Sequence, residues 1–350
     1  MTKDVLDPTL DEFEQREQAN IVQALGRLAV GFGAIIATGL SGPLAKAFSF
    51  ETVFWIGMIV PFCSVLGAIL VKPQAPERAA PDWVIIGGGF AFGLLSLLYK
   101  VLGMPFAAEA SFLTGCAIIV PLVLRLFRDL PKEEITVLIA TGVMVFVFRA
   151  TPLAGPGATA WQMEVLGFDK AFIGLLAFIA EMIGFVGIWF AVGWLRRATI
   201  ARVYTVITIV GFVLALPTIA MFYGLHLWTE EHLGFGARSI ALVDIALASP
   251  FGHLSLIPIL ALIARYAASA CAATWFALAA SFVNLALAAK QIGTVYLNKI
   301  WVVVPGTFDP TGALTRAGDY RELGELMIVA NAIGLILPLL AIWLLRKKLI

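Results

Sequence analysis

Once the charges in the loops and at the segment ends are set aside, five charged side chains remain inside the long apolar stretches of this chain, and they are the residues best placed to do chemistry there. They are Arg27, Arg149, Glu181, Asp244 and Lys290. An ionisable group in hydrocarbon costs on the order of 3 kcal/mol or more unless it faces protein or water, so such residues often bind solutes or carry protons. The alternatives are a buried structural pair, or a long side chain that reaches the interface. For Arg27, near the start of its stretch, reaching the interface is the favoured interpretation.

Three of these charges share one depth in the membrane. At about 1.5 Å per helical residue, Arg149, Asp244 and Lys290 each lie roughly 8–10 Å from the middle of their segments, toward the same side. Two cations and one anion at one level indicate a polar site for an anionic or zwitterionic solute; the alternative is chance coincidence. We expect Asp244 to stay ionised beside the two cations.

Glu181 lies near the middle of its apolar segment, with no cation at its own level, and its side chain is too short to reach the headgroups. A buried carboxylate of this kind can take up and release a proton near working pH, which is what a proton-coupled carrier needs. The alternative is a permanently neutral, hydrogen-bonded packing residue.

Ten apolar segments must position these charges, and each is long enough to span a bilayer core of about 30 Å. Hydrophobic residues make up 61% of the 350 residues and charged residues 13%, about half the charged share of a soluble domain. The segments lack the alternation of barrel strands, so we expect an all-α membrane protein. They lie near 21–44, 50–71, 83–101, 105–124, 133–152, 170–194, 201–226, 239–264, 272–298 and 324–345.

Lysine and arginine counts predict the orientation of these segments. The side shared by both termini carries 14 of these residues in its loops, and the opposite side carries 7. We therefore expect a multi-pass protein of the inner (plasma) membrane with both termini cytoplasmic. Residues 1–20 have an acidic, polar composition that indicates a cytoplasmic lead-in and no signal peptide.

Several function classes find no support in the composition. The net charge of +1 and the lack of a basic stripe argue against nucleic acid as a partner. Cys63, Cys116 and Cys271 lie in apolar stretches without ligand spacing, so we interpret them as packing residues and expect no metal. No hydrolase, zinc-protease or phosphate-loop motif is present, which predicts no enzyme activity and no cofactor. His253 is interpreted as a packing residue, with a proton relay as the alternative.

Prolines predict two irregular helices. The segment RATPLAGPG contains Pro152 and Pro156, which makes one continuous helix through residues 149–157 unfavourable. The segment at 239–264 contains Pro250 and Pro258, which permit bending. Interrupted helices in transporters often mark the binding site; the alternative at RATPLAGPG is a simple helix end. Small residues four apart in the first segment, such as Ala34, Thr38 and Gly42, predict a close helix contact.

The longest distinctive motif, FRATPLAGPGATAWQMEVLGFDKAFIG at 148–174, resembles the seventh-helix signature of the folate–biopterin transporter family of the major facilitator superfamily. Other segments resemble that family in the same order along the chain. They are 22–45 for the fifth helix, 50–71 for the sixth, 243–265 for the tenth, 276–301 with Asn284 for the eleventh, and 328–340 for the twelfth.

This resemblance implies a major facilitator-type bundle with an incomplete N-terminal half. Residues 21–71 would be two helices of that half, 83–124 an inserted transmembrane hairpin, and 133–350 the six-helix C-terminal half. The family has four further helices ahead of the fifth, so Met1 is expected to be an internal start or the start of a fragment, and the site an open groove. In the family the seventh, eighth, tenth and eleventh helices line the cavity, and one in-span charge falls on each: Arg149, Glu181, Asp244 and Lys290.

The function implied is proton-coupled, alternating-access transport of folate- or pterin-like anions, with the solute, the proton and the lipid bilayer as partners. Arg149 and Lys290 would hold carboxylates by charge-assisted hydrogen bonds, with Asp244 and Asn284 beside them. Trp161 would stack on the heterocycle, and Glu181 would carry the proton. The alternatives are a facilitator-fold carrier for another organic solute, a non-transport membrane assembly factor on the same fold, and, last, a membrane enzyme.

Overall fold

The computed structural model describes residues 12–70, 82–128, 130–195, 198–254, 272–308 and 314–346, with backbone only for 12–29, 188–195 and a few other positions. Nearly all of this is helix. The helices are α1 (Glu12–Ala47), α2 (Phe50–Gly57), α3 (Ile59–Leu70), α4 (Trp83–Val101), α5 (Ala107–Leu126), α6 (Lys132–Ala150), α7 (Pro156–Glu164), α8 (Lys170–Leu195), α9 (Ile200–Phe222), α10 (Leu225–Leu233), α11 (Ala237–Leu254), α12 (Ala272–Ile300) and α13 (Leu323–Leu345). Two short strands, β1 (Thr307–Phe308) and β2 (Leu314–Arg316), join α12 to α13.

Within this described part, eight helical segments are long and apolar enough to cross a membrane. The two remaining predicted spans have clear reasons to fall outside that set. Helix α6 has 19 residues but carries charges in both its first and last turns. Helix α11 is described only as far as Leu254, so the rest of the segment at 239–264, with Pro258, lies outside the described residues. The chain is a multi-pass, all-α membrane protein, as predicted.

The long helices pack side by side in a continuous series. Helix α4 packs on α5, α5 on α12, α12 on α6, α6 on α13, α13 on α9, α9 on α11, α11 on α8, and α8 on α1. The α4–α5 hairpin thus lies against α12, and α1 lies at the other edge against α8. Charged side chains of α6 and α12 can therefore meet in the middle of the series, away from either edge.

Small residues bring α1 and α8 into backbone contact. A Cβ atom placed on Gly174 would lie 2.6 Å from the Cα atom of Gly42, and one placed on Gly42 would lie 3.2 Å from the Cα atom of Gly174, so this spacing requires glycine at position 174 and favours it at position 42. Rings of Phe178 and Phe185 lie against Gly39 and Gly31 in the same contact. The close helix contact predicted from the small residues of the first segment is confirmed on its Gly42 face.

The structure interrupts two segments that were predicted as single helices. The segment at 50–71 breaks at Met58, between α2 and α3. Pro61 follows, and its nitrogen cannot donate to the Gly57 carbonyl, so the helical ladder is weakened there. The segment at 201–226 ends at Phe222, and Gly224 takes a left-handed conformation (φ 93°) ahead of α10. Pro250, in contrast, lies within α11 without ending it.

One end of the bundle carries the short elements, and we call it the hairpin end. There β1 pairs antiparallel with β2, and α7 and α10 follow α6 and α9. A buried cluster at this end joins α7, α9, α11 and α13 through Trp161, Met221, Ile240 and Leu323. A second cluster, with Phe127, Met144, Tyr204 and Trp275, joins α5, α6, α9, α12 and α13. These two clusters flank the part of α6 that carries Arg149.

Candidate functional site

The site begins at the break between α6 and α7. Thr151 is extended (φ −61°, ψ 125°), because the residue before a proline avoids helical geometry. Gly155 has φ 82°, a value that glycine adopts without strain. Pro156 then opens α7, where its missing N–H group costs nothing. The interruption predicted at RATPLAGPG is confirmed.

Helix α12 holds this break in place through two hydrogen bonds. The Leu153 backbone N–H group donates to the Thr294 hydroxyl at 3.0 Å. The Asn298 side-chain amide donates to the Ala154 carbonyl at 3.1 Å. A Cβ atom on Gly293 would lie 3.3 Å from Pro152, so the break and α12 are also in close apolar contact. The polar groups that the broken helix exposes are therefore partly satisfied by α12.

Arg149 and Lys290 come together beneath the break. Arg149 is in the last turn of α6, and Lys290 is one turn before Thr294 on α12. Their positive charges are close enough to repel each other, and both residues are half-buried. The Arg149 Nε atom is buried and has no hydrogen-bond partner within the described part of the chain. An anion bound between the two side chains would relieve the repulsion and accept charge-assisted hydrogen bonds.

Asp244 does not join the two cations in the described structure. Its Oδ2 atom accepts a hydrogen bond of 2.8 Å from the Thr218 hydroxyl on α9. Its Oδ1 atom is buried and has no partner among the described residues. The common depth predicted for Asp244 and the basic pair thus does not translate into contact, because α11 packs against α8 and α9 whereas α6 packs against α12.

Glu181 lies on the face of α8 that meets α1. It follows Gly174 by seven residues and Phe178 by three, spacings that place side chains on one helix face, and both of those residues contact α1. Glu181 is half-buried there. The structure places this carboxylate at the α1–α8 contact and the basic pair between α6 and α12.

Trp161 is a core residue at the hairpin end. Its side chain is 3% exposed, and its ring lies 5.6 Å from the ring of Phe222 within the cluster that includes Met221 and Leu323. Stacking on a solute heterocycle, the role predicted for Trp161, would require this cluster to open.

Asn284 faces a separate cavity between α4, α5 and α12. This cavity has a volume of about 620 Å³, and Ser281, Asn284 and Gln291 lie along its α12 wall. Six residues separate Asn284 from Lys290, which turns the two side chains about 120° apart on the helix. Asn284 is exposed to this cavity and the basic pair is on another face of α12. The two predicted binding residues therefore belong to different surfaces.

Sequence reasoning missed Thr294, Asn298 and Thr218. The first two had a readable signal, because Lys290, Thr294 and Asn298 recur every four residues and so share one face of α12. Thr218 had none, since its role depends on how α9 packs against α11. The side chains of Cys271 and His253 lie outside the described residues, and the predictions for them stay predictions.

Residues 9–350 match the BT1 family. The chain belongs to the BT1 family. It is also 24% identical over 341 residues to a folate-biopterin transporter of Synechocystis sp., which confirms the resemblance found in the sequence. The alignment covers 96% of this chain and 58% of that relative. No solved structure matches this chain.

Proposed function

We propose that this BT1-family chain acts in secondary active transport of folate- or pterin-like anions across the inner membrane. The observation that carries the proposal is the pairing of Arg149 with Lys290 beside an interrupted helix, since neither cation has a carboxylate against it in the described structure. Two adjacent cations at membrane depth are costly without an anion. The printed name of the Synechocystis relative supports the class of solute.

The proposed binding mode places solute carboxylates between Arg149 and Lys290. Arginine offers a planar pair of donors that matches a carboxylate, and lysine adds a point charge. Asp244 acts on the substrate side from α11, where the Thr218 hydroxyl donates a hydrogen bond to its carboxylate. Asn284 contributes only in a conformation that opens the cavity between α4, α5 and α12 to the solute. Trp161 contributes only in a conformation that opens the buried cluster at the hairpin end.

Coupling to protons is assigned to Glu181, in a major facilitator-type cycle of alternating access. The α1–α8 contact brings residues of the two proposed halves together, and Glu181 lies on the α8 face of that contact. Protonation of a carboxylate there removes a charge from a helix interface, which can change how the two helices pack. In the proposed orientation both termini are cytoplasmic and the hairpin end faces outward.

A facilitator-fold carrier for another organic anion is the second candidate. The burial of Trp161 favours it, because the aromatic residue expected to stack on a pterin lies 3% exposed in the apolar cluster. This candidate keeps the basic pair and changes only the solute. Competition between folate, a free pterin and a simple dicarboxylate for uptake distinguishes the two.

Uptake into proteoliposomes tests the proposal. We expect labelled folate or pterin to accumulate when an inward proton gradient is imposed, and accumulation to stop when the gradient is collapsed. Glu181→Gln is expected to remove the pH dependence of uptake, whereas Glu134→Gln, in the first turn of α6, should preserve it. If uptake by the unsubstituted chain does not depend on the proton gradient, proton coupling is contradicted. If a simple dicarboxylate is taken up in preference to folate and to a free pterin, the second candidate is favoured.

A further inference from the structure

We propose that Thr294, Asn298 and Glu164 form a latch that holds α7 closed over the basic pair at the hairpin end, and that must open for a solute to pass on that side. The latch consists of the hydrogen bonds from Leu153 to Thr294, from Asn298 to Ala154, and from Gly306 to Glu164. The proposal rests on the proposed function, because it concerns access to Arg149 and Lys290.

The first part of the latch lies one helical turn from the basic pair. Thr294 follows Lys290 by four residues on α12, and Leu153 follows Arg149 by four residues in the chain. A helical turn advances about 5.4 Å, so on α12 the bond between Leu153 and Thr294 lies next to Lys290 on the hairpin-end side. Asn298, one turn further along α12, fixes the next residue of the break, Ala154.

The second part of the latch holds the far end of α7. The Gly306 backbone N–H group donates to both carboxylate oxygens of Glu164, at 2.9 and 3.2 Å. Cβ atoms placed on Gly306 and Gly318 would lie 2.6 and 2.8 Å from the Glu164 carboxylate. The loop between α12 and α13 therefore lies close around this carboxylate, and at Gly306 a Cβ atom would also lie 2.9 Å from the Arg316 carbonyl oxygen.

Helix α7 moves as a unit when these bonds open and Trp161 leaves its buried cluster with Met221 and Leu323. It has 9 residues and is separated from α6 by the extended residues after Ala150. Gly155, at φ 82°, gives the connection a backbone position with few steric limits. The three bonds tie α7 to α12 and its following loop, and bonds of this kind exchange readily with water when a helix end moves outward.

The basic pair explains why a latch is needed at this position. Two half-buried cations that repel each other would draw water and small anions from the hairpin end if the break were open. A closed α7 leaves access from the other side only, which is the condition for one of the two states of an alternating-access carrier. Thr294 and Asn298 act as positioning residues here, because they hold the break and do not contact the solute.

A cysteine reporter measures the opening of the latch without any solute. Ala150→Cys, next to Arg149, is placed in the full chain with Cys63, Cys116 and Cys271 replaced by serine. A membrane-impermeant thiol reagent is added on the hairpin-end side of sealed vesicles. We expect Thr294→Val, Asn298→Ala and Glu164→Gln each to label roughly two- to tenfold faster, the range expected when one hydrogen bond is lost from the closed state.

Two matched variants separate a latch from general loosening. Thr315→Val removes a hydrogen bond of 2.8 Å to the Thr307 carbonyl, which joins the two strands of the hairpin and is not one of the three latch bonds, and should label at the unsubstituted rate. Thr294→Ser keeps the hydroxyl and should also label at that rate. Equal rates for Thr294→Val and Thr315→Val overturn the latch, as does fast labelling of Thr294→Ser. Because labelling needs no solute, these outcomes are independent of whether the chain carries folate.

Discussion

The contact between α1 and α8 gives the sharpest test of the packing, through the substitution Gly174→Ala. The new Cβ atom would lie 2.6 Å from the Gly42 Cα atom and 2.8 Å from the Gly42 nitrogen. Both of these are backbone atoms, so no rotamer change can relieve the overlap. Ordinary contact starts at 3.4 Å, and the two helices must therefore separate by about 0.8 Å at this level.

Two opposing effects set the magnitude. Overpacking of a closely packed contact costs about 1–3 kcal/mol. Replacing a helical glycine by alanine contributes about 0.5–1 kcal/mol in the other direction, because glycine loses more backbone entropy on folding. Gly33→Ala on α1 is the matched control, since a Cβ atom there meets no atom within 4 Å. The propensity gain cancels between the two variants, so Gly174→Ala should be less stable than Gly33→Ala by about 1–3 kcal/mol.

Denaturant titration in detergent, followed by tryptophan fluorescence, measures this difference. We expect Gly33→Ala to unfold at the same denaturant concentration as the unsubstituted chain or slightly above it, and Gly174→Ala clearly below it. If the two variants unfold together, α1 does not contact α8 at Gly174, and the argument that places Glu181 at that contact fails with it.

Two further predictions follow from hydrogen bonds and burial elsewhere in the chain. Thr218→Val removes the donor to Asp244 and should lower stability by about 1–3 kcal/mol; Thr205→Val, whose hydroxyl bonds within its own helix, is the control, and equal stabilities would contradict the prediction. Burial and the neighbouring Glu164 carboxylate raise the pKa of Tyr320 to about 12, so its contribution to stability is complete below about pH 10, the ordinary tyrosine value, and is lost as pH rises toward 12. The absorbance difference between the unsubstituted chain and Tyr320→Phe should show phenolate forming near pH 12, and a step near pH 10 would refute this.

The helices were predictable because their signal is local. Each span is a long apolar run, and the break after Ala150 follows from Pro152 and Pro156, which act on their own and neighbouring residues. Pro61 is the same kind of local signal for the break at Met58. The residues around Pro61 form a strongly apolar run, however, and that run predicted a single span over 50–71. The β1–β2 hairpin was not predicted, since its two strands have only 2 and 3 residues and no hydrophobic period can be read over that length.

The candidate site was only partly predictable, because depth in the membrane is a property of one helix and contact is a property of two. Depth arithmetic placed Arg149, Asp244 and Lys290 at one level, but it did not say which helices are neighbours. The packing of α6 on α12 brings Arg149 to Lys290, and the packing of α11 on α9 brings Asp244 to Thr218. Asn284 and Lys290 point to different surfaces because six residues turn them about 120° apart on α12, a separation that can be read from the sequence.

The central claim is that Arg149 and Lys290 together hold the anionic part of the solute, and equilibrium binding to the purified full chain tests it most directly. Isothermal titration with folate at low ionic strength is compared for the unsubstituted chain, Arg149→Gln, Lys290→Gln and the double variant. The controls are Lys132→Gln and Lys299→Gln, exposed cations on the same two helices. We expect each site variant to weaken folate binding at least tenfold, corresponding to the loss of a charge-assisted hydrogen bond of about 1.5–3 kcal/mol, and the controls to bind like the unsubstituted chain. Folate binding that is unchanged in the double variant would contradict the claim.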